Sequence, residues 1–310
     1  MNPTPSRVAL LGGTGFAGRN VQRELEAAGI TMAVFSRSTG CDLLDLPAAQ
    51  ARLEAFGPTH IVNCAAHVGS VNYVTEFAAD VVDRNLRMLL NVYALARHLR
   101  DAVVVNPVAN CAYPGVLDAY AEESFWMGPI HPSVLSYGST RRMMTVLSEC
   151  YHAQYGVRSA NIIVPNMYGP LDSTDPNKTH ALNALVIKFV RAVKTGAPET
   201  EVWGTGKPIR EWLYVKDFAR VIRLLVQDSA DFQSPVNLAQ NHGLSVNELV
   251  AIICGKLGYR GNIVHNTRFP DGSPKKVMDD RHFRERFPGF RFTPFEQGLA
   301  ETIEYYQTIL

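Results

Sequence analysis

A glycine-rich segment near the start of the chain has the spacing with which proteins bind a pyrophosphate. Gly12, Gly15 and Gly18 alternate with other residues, among them Thr14 and Phe16. Glycine lets the backbone turn tightly and approach a phosphate, and the N-terminus of a following helix supplies N–H donors and a positive dipole end. The segment stands between a predicted strand and a predicted helix, as this motif requires. We therefore predict that these five residues contact a dinucleotide, with a tight turn as the alternative.

The end of the second predicted strand indicates which dinucleotide is bound. An NAD site places an acidic residue there to bond the ribose 2′-hydroxyl, whereas an NADP site places an arginine near the 2′-phosphate. The chain has Ser36 and Arg37 at this point. A guanidinium and a hydroxyl suit a phosphate, so NADP(H) is predicted in preference to NAD, with a solvated arginine as the alternative. Further predicted cofactor contacts, near the adenine and after the third strand, are Asp42, Leu43, Ala65 and Ala66.

The elements that position these residues follow a strand–helix–strand pattern. Short, nearly continuous apolar runs predict strands, and longer segments with apolar residues at helical spacing predict helices. The predicted strands are residues 8–12, 32–36, 60–65, 102–106 and 161–165, and the predicted helices are residues 15–28, 78–97 and 134–155. This alternation predicts an α/β fold, namely a Rossmann-type, doubly wound parallel sheet with a crevice at its carboxyl edge.

The pattern becomes less regular after residue 165. The further predicted elements are helices at residues 180–193, from Lys216 and from Ser245, which forms a capping box with Glu248, and strands at residues 201–204 and 236–239. We predict a dinucleotide-binding domain over residues 1–165, to which segments near 210–240 return. Residues 166–310 are predicted to form a smaller, mixed α/β lobe that mainly binds substrate.

Six segments have unusual sequences that carry a family resemblance. They are residues 65–69 (Ala-Ala-His-Val-Gly), 110–114 (Asn-Cys-Ala-Tyr-Pro), 164–170 (Val-Pro-Asn-Met-Tyr-Gly-Pro), 177–180 (Asn-Lys-Thr-His), 202–211 (Val-Trp-Gly-Thr-Gly-Lys-Pro-Ile-Arg-Glu) and 271–276 (Asp-Gly-Ser-Pro-Lys-Lys). In this order, and with Tyr137 four residues before Arg141, nearly the whole chain resembles the GDP-L-fucose synthase type of the extended short-chain dehydrogenases/reductases, also called the NAD-dependent epimerase/dehydratase family. The resemblance implies an NADP(H)-dependent epimerase/reductase that acts on a GDP-4-keto-6-deoxyhexose.

The resemblance also implies roles for individual residues. Cys111 would remove the acidic proton beside the 4-keto group, and His180 would return a proton to the opposite face. Tyr137, with Arg141 beside it, would give a proton to the carbonyl oxygen while NADPH delivers hydride to C4. Cysteine and histidine suit proton exchange because their pKa values can be tuned near neutral pH. Further implied contacts to substrate or cofactor are Ala109, Pro165, Asn166, Lys188, Trp203, Arg210 and Lys276.

The Ser-Tyr-Lys trio of the family is altered at two positions. Ala109 replaces the serine that bonds the keto oxygen, and Arg141 replaces the lysine. Because side chains alternate along a strand, Ala109 and Cys111 are expected to share a face, with Asn110 pointing away. The missing hydroxyl would then come from another residue, and the candidates are Ser136, Ser139 and Thr140.

Arg141 leaves more than one function open. It lies on the helix face of Tyr137 and its charge lowers the phenol pKa, but a guanidinium does not share protons as lysine does. The first function is the epimerase/reductase described above. The second is a non-reducing nucleotide-sugar epimerase that has kept Cys111 and His180. The third, a catalytically silent dinucleotide-binding partner protein, is disfavoured because Cys111, His180 and Arg210 are all present.

Composition bounds the partners and the compartment. The chain has 310 residues, of which 46% are hydrophobic and 19% charged, and a net charge of +1, so neither nucleic acid nor an anionic membrane is predicted as a partner. No apolar run approaches the roughly 20 residues that span a bilayer, and the N-terminus has no signal-peptide layout. Five scattered cysteines predict reduced thiols in a cytoplasm and no metal site.

The resemblance implies a homodimer through helices 78–97 and 134–155. Ser70 and Asn72 are expected to lie where substrate choice is set.

Overall fold

The structure, a computed structural model, describes residues 5–269 and 271–310. Residues 1–4 lie outside the described residues. They are the start of the predicted dinucleotide-binding domain and of the N-terminal segment for which no signal peptide is predicted. In chain order the strands are β1 (Arg7–Leu11), β2 (Thr31–Phe35), β3 (His60–Asn63), β4 (Val103–Ala109), β5 (Ser159–Val164), β6 (Asn166–Tyr168), β7 (Glu199–Trp203), β8 (Ile209–Arg210), β9 (Trp212–Tyr214), β10 (Phe232–Asn237), β11 (Leu244–Ser245), β12 (Asn262–Asn266) and β13 (Lys275–Lys276). The helices are α1 (Phe16–Ala27), α2 (Leu46–Phe56), α3 (Val71–Glu76), α4 (Ala78–Leu99), α5 (Leu135–Tyr155), α6 (Ala181–Thr195), α7 (Val215–Gln227), α8 (Val246–Leu257), α9 (Arg281–Arg286) and α10 (Phe295–Ile309).

Six strands form one parallel sheet in the order β2-β1-β3-β4-β5-β10. Because β1 lies between β2 and β3, the chain moves to one side of β1 for its second strand and to the other side for its third. In such sheets the carboxyl ends of the strands open into a crevice at this point of reversal, where ligands bind. The prediction of a Rossmann-type, doubly wound α/β fold is confirmed.

The central strands are buried on both faces. Val8 and Leu10 of β1 point into a core that includes α1 and α7, whereas Ala9 and Leu11 point into a core that includes α4 and α5. All four side chains are fully buried. Because side chains alternate along a strand, helices on both faces require the nearly continuous apolar runs seen in the sequence.

The smaller lobe is mixed α/β, as predicted. Its β8 pairs antiparallel with β11 and parallel with β13, and β7 pairs parallel with β12. A core that includes Phe189, Trp212 and Tyr306 joins α6, α8 and α10. The helix α8 starts at the predicted capping box: Glu248 donates its backbone N–H to Ser245 Oγ over 3.1 Å, and the Glu248 carboxylate accepts the backbone N–H of Ser245 over 2.7 Å.

Two strands differ most from their predicted bounds. β4 runs to Ala109 instead of ending at residue 106, and β10 begins at Phe232 instead of residue 236. Asn106, the last residue of the predicted strand, is fully buried, and its Nδ2 donates to the Tyr93 hydroxyl over 2.8 Å and to Asn161 Oδ1 over 3.0 Å. These two hydrogen bonds satisfy the amide nitrogen inside a central strand, whereas Asn106 Oδ1 has no hydrogen-bond partner among the described residues. Among the described residues, no helix has the length and apolar character needed to cross a membrane.

Candidate active site

The glycine loop joins β1 to α1 at the crevice. Gly12 has a φ of +69°, and a Cβ atom there would lie 2.7 Å from Ala65 Cα at the end of β3. A Cβ atom on Gly18 would lie 2.4 Å from the Gly12 carbonyl oxygen. Both positions therefore require glycine, and no side chain among the described residues caps the N-terminus of α1 at Gly15. These residues fit a dinucleotide pyrophosphate.

A cluster of hydroxyl groups stands beside the glycine loop. The Ser36 and Ser38 hydroxyl oxygens are 3.1 Å apart, and Ser38 Oγ donates to Thr14 Oγ1 over 3.2 Å. Arg37 is exposed at the start of the short turn that these residues form. The structure thus brings together Thr14, Ser36, Arg37 and the adjacent Ser38. Hydroxyl and guanidinium donors around one point suit a phosphate group.

The other predicted residues near the adenine have different surroundings. Asp42 caps a turn, since its Oδ1 accepts the backbone N–H of Leu44 over 3.0 Å. The side chain of Leu43 is packed in the core, and its carbonyl oxygen accepts a hydrogen bond from Asn91 Nδ2 over 2.7 Å. Only the backbone of Leu43 is therefore available to a ligand. Ala66 is exposed after β3.

Tyr137 and Arg141 lie together on the first turns of α5. The Arg141 guanidinium carbon is 5.0 Å from the centre of the Tyr137 ring. Arg141 is buried, and its Nη2 donates to Asn85 Oδ1 on α4 over 2.8 Å. Asn85 also accepts the backbone N–H of His67 and donates to its carbonyl, so it connects α5 to the loop after β3. Burial raises the pKa of Tyr137, and the charge of Arg141 acts in the opposite direction.

Cys111 follows β4 in a short turn that spans Asn110–Ala112. A Cβ atom on Gly138 would lie 2.5 Å from the Cys111 carbonyl oxygen, so this turn packs directly on the first turn of α5, beside Tyr137. Burial raises the pKa of the Cys111 thiol, and the charges of Lys276 and Arg141 lower it. Burial outweighs these charges and the pKa is raised overall, so the two cations offset only part of the cost of forming the thiolate that a base requires.

The expected alternation of side chains from Ala109 to Cys111 was wrong. The strand ends at Ala109, and the turn that begins at Asn110 replaces the extended backbone on which alternation depends. Asn110 is buried, and its Nδ2 has no hydrogen-bond partner among the described residues.

The candidates for the missing hydroxyl are constrained by the structure. Ser136 Oγ donates to the Val74 carbonyl and Thr140 Oγ1 to the Tyr137 carbonyl, each over 2.7 Å. Ser139 is two residues after Tyr137 on a helix, a spacing that places the two side chains on different faces.

His180 stands at the N-terminal end of α6 and reaches the glycine loop. Its ring centre is 4.8 Å from that of Phe16, the first residue of α1. Its Nδ1 lies 3.1 Å from Oδ2 of the buried Asp172. The structure therefore places a proton carrier from the smaller lobe against the predicted cofactor loop.

Two basic residues connect the smaller lobe to the Cys111 turn. Lys276 on β13 is paired with Arg210 on β8, and its Nζ is 3.5 Å from the Asn110 carbonyl oxygen. Burial lowers the pKa of Lys276 to about 8 and lowers that of Arg210 as well. Arg210 Nη2 donates to the Asp271 carbonyl over 3.0 Å. Two partly desolvated cations near the Cys111 turn suit a diphosphate.

An aromatic platform lies beyond these cations. Trp203 stacks on Phe269 with ring centres 4.1 Å apart and planes inclined by 15°. Lys188 Nζ is 5.5 Å from the Trp203 ring and donates to the Glu201 carbonyl over 2.7 Å. Trp203 is 46% exposed, so the pair offers a flat surface on which a base can stack.

Pro165 and Asn166 complete the predicted set at the end of β5. Pro165 is buried, and Asn166 begins β6, where its Nδ2 donates to the Glu211 carbonyl over 3.3 Å. The described residues contain no group of three His, Cys, Asp or Glu side chains that could hold a metal ion.

Comparison with known proteins places this chain in a family. The sequence profile described as "NAD dependent epimerase/dehydratase family" matches residues 8–239. The chain belongs to this family. A protein of Oryza sativa subsp. japonica named probable GDP-L-fucose synthase 1 is 29% identical over 305 residues, which cover 97% of this chain and 92% of that protein. The GDP-L-fucose synthase of Escherichia coli (strain K12) is 28% identical over 313 residues, covering 97% and 96%.

A solved structure supports the same relationship. The crystal structure of a GDP-L-fucose synthetase from Naegleria fowleri bound to NADP has a TM-score of 0.87 and 26% sequence identity, and the match covers 99% of this chain and 95% of that one. The chain is thus a GDP-L-fucose synthase-like member of the epimerase/dehydratase family, and the predicted resemblance is confirmed.

Three residues of the candidate site were not predicted from the sequence. They are Asn85, Asp172 and Phe269. Asn85 had a recognisable signal, because it is a polar residue on the apolar stripe of α4 between Val81 and Leu89. The other two lie in a loop and a turn, where no periodicity marks a functional side chain.

Proposed function

We propose that the chain is an NADP(H)-dependent epimerase/reductase of a GDP-4-keto-6-deoxyhexose. One observation carries the proposal: Cys111 and Tyr137 pack together at the crevice, and His180 lies against Phe16 of the glycine loop. Two proton carriers and a phenol around a dinucleotide loop are what epimerisation beside a ketone and its reduction require. The GDP-linked substrate is supported by relatives named GDP-L-fucose synthases that match along nearly the whole chain.

In this proposal the side chains divide the chemistry. Cys111 removes the proton beside the 4-keto group, and His180 returns one to the opposite face of the sugar. Tyr137 donates a proton to the oxygen at C4, and the charge of Arg141 favours the resulting phenolate. Bound NADPH supplies the hydride for the reduction step.

The remaining contacts hold the substrate and organise the chain. Arg210 and Lys276 bind the diphosphate, and Trp203 with Phe269 stacks on the base, next to Lys188. Residues 1–165 and the segment that contains β10 hold the dinucleotide, and residues 166–310 hold mainly the GDP-sugar. The chain forms a homodimer in the cytoplasm through α4 and α5, whose side chains Leu90 and Met143 are 48% and 36% exposed.

The preference for NADP(H) is tested at Arg37. We expect Arg37→Ala to weaken NADPH binding by about 10- to 100-fold, because a charge-assisted hydrogen bond contributes about 1.5–3 kcal/mol, and to leave NADH binding unchanged. Fluorescence titration with both dinucleotides measures this difference. The matched control is Arg191→Ala, which removes an exposed arginine of α6. Equal losses for NADPH and NADH in Arg37→Ala would show that Arg37 does not read the 2′-phosphate.

The second candidate is a non-reducing nucleotide-sugar epimerase. It is favoured by the buried contact of Arg141 with Asn85, which fixes the guanidinium away from the proton-sharing role of a lysine. In that case Cys111 and His180 still exchange protons with the sugar, but Tyr137 does not take part in a reduction of the 4-keto group.

One assay separates the candidates. The protein is incubated with a GDP-4-keto-6-deoxy sugar and NADPH in D₂O, while NADPH absorbance and deuterium at C3 and C5 are followed. We expect deuterium incorporation together with NADPH consumption. Incorporation without NADPH consumption would establish the epimerase alone. No change in either signal would overturn both candidates and leave a silent dinucleotide-binding protein.

A further inference from the structure

The buried carboxylate of Asp172 is surrounded by hydrogen-bond donors. Its Oδ2 atom accepts from the His180 backbone N–H over 2.9 Å and from Asn183 Nδ2 over 2.8 Å, and it lies 3.1 Å from His180 Nδ1. Its Oδ1 atom accepts from the Ser173 N–H over 2.8 Å. Burial alone raises the pKa of Asp172, but the contacts with His180 and Asn183 outweigh it, and the pKa is lowered overall.

An ionised carboxylate has no hydrogen to donate, so the contact with His180 Nδ1 requires the hydrogen to be on the histidine. The neutral ring is then the Nδ1–H tautomer, and Nε2 is the nitrogen left to take up a proton, which the resulting imidazolium can then give to the substrate. The side chain of His180 is 38% exposed, whereas that of Asp172 is 3% exposed. The histidine can therefore meet a substrate, and the aspartate is shielded from it.

The loop that carries Asp172 is anchored to α1. Asn20 Nδ2 donates to the Pro170 carbonyl over 3.1 Å, and Arg19 donates to the Leu171 carbonyl. Leu171 has a φ of +74°, which is uncommon for a residue other than glycine. Asn183 on α6 also holds this loop, because its Oδ1 accepts the Gly169 N–H over 3.1 Å. The position of Asp172 is thus set by contacts on both sides of the loop.

We propose that Asp172 is a positioning residue that holds His180 as the Nδ1–H tautomer, so that Nε2 exchanges the proton with the substrate. The proposal rests on the proposed function for the role of His180. Asn183 supports the arrangement by holding the same carboxylate oxygen. Arg19 on α1 and Tyr306 on α10 lie beside this loop, and the loop itself also carries Asp175 and Lys178, which form an ion pair.

The tautomer is measured without any substrate. The full chain is labelled with ¹⁵N-histidine, and two-bond ¹H–¹⁵N correlation spectra are recorded. The signal of His180 among the nine histidines is assigned by its loss in His180→Gln. We expect a protonated Nδ1 and an unprotonated Nε2 in the wild-type protein. In Asp172→Ala we expect the Nε2–H tautomer, which unconstrained histidine prefers. A wild-type protein with protonated Nε2 and bare Nδ1 would overturn the proposal.

A second experiment compares the rate of deuterium exchange into the sugar in the wild-type protein and in the Asp172 variants. We expect Asp172→Ala to lower kcat for exchange by about 10- to 100-fold with KM unchanged, because Nε2 then carries the hydrogen of the neutral ring and cannot take up the proton that it passes on. Asp172→Glu is expected to recover part of the rate, and Asn183→Ala to lose less than Asp172→Ala. An unaltered rate in Asp172→Ala would contradict the proposal.

The control variant is Asp175→Asn. Asp175 is in the same loop and accepts the Asn177 N–H over 3.0 Å, so its replacement is expected to change neither the tautomer nor the rate. If the wild-type protein shows no exchange at all, the proposed function fails, while the tautomer result still decides the role of Asp172.

Discussion

Replacement of Cys111 by serine is expected to lower deuterium incorporation at C3 and C5 by about 10²–10⁴-fold, the range that a positioned acid or base contributes. Serine has nearly the shape of cysteine, but its hydroxyl does not ionise near neutral pH. The charges of Lys276 and Arg141 favour ionisation of the Cys111 thiol, and they have no comparable effect on a hydroxyl. Mass spectrometry of the sugar nucleotide after incubation in D₂O measures the rate, and NADPH binding is expected to stay unchanged.

Cys150 provides the matched control for this substitution. It is exposed on α5, away from the Cys111 turn, so Cys150→Ser is expected to leave exchange unaltered. If Cys111→Ser exchanged deuterium at the wild-type rate, another group would have to be the base, and the role that the family resemblance implies would not hold for this chain.

The double variant Ala109→Ser with Arg141→Lys is expected to increase the rate of NADPH consumption by about 10²–10³-fold, since one oxyanion donor has an effect of that size. Ala109 is only partly buried at the end of β4, which leaves room for a hydroxyl. A lysine at 141 can share protons, and Asn85 Oδ1 would still accept the His67 N–H at 3.0 Å. Stopped-flow absorbance at saturating substrate measures the change.

The single variants separate the two contributions. Ala109→Ser alone is expected to give most of the increase, because it restores the donor to the keto oxygen. Arg141→Lys alone is expected to give less, since the cation beside Tyr137 is already present. A double variant no faster than the wild-type protein would mean that other groups in this chain already perform both roles.

Local sequence signals predicted much of the fold and part of the site. The glycine loop, the capping box of Ser245 and the four-residue spacing of Tyr137 and Arg141 depend on neighbours along the chain, so they are visible in the sequence. The nearly continuous apolar strands were visible for the same reason, because helices on both faces leave them no polar side.

Contacts between distant segments could not be predicted in this way. Asn85 and Arg141 meet only because α4 packs against α5, and nothing in either segment indicates the partner. The contact of Asp172 with His180 depends on a loop in which Leu171 adopts a left-handed conformation, which has no periodic signal. The alternation expected around Asn110 failed because a strand end depends on what packs beyond it.

The stacking of Phe16 against His180 bears on how the two halves of the chain can be recombined. Phe16 belongs to the predicted dinucleotide half and His180 to the predicted substrate half, yet the two rings are in contact. A chimera that takes residues 1–165 from a relative would therefore also replace part of the surroundings of His180. If the two halves are to be exchanged between relatives, Phe16 and His180 must come from the same protein. The same holds for Asn20 and the loop whose Pro170 carbonyl it binds.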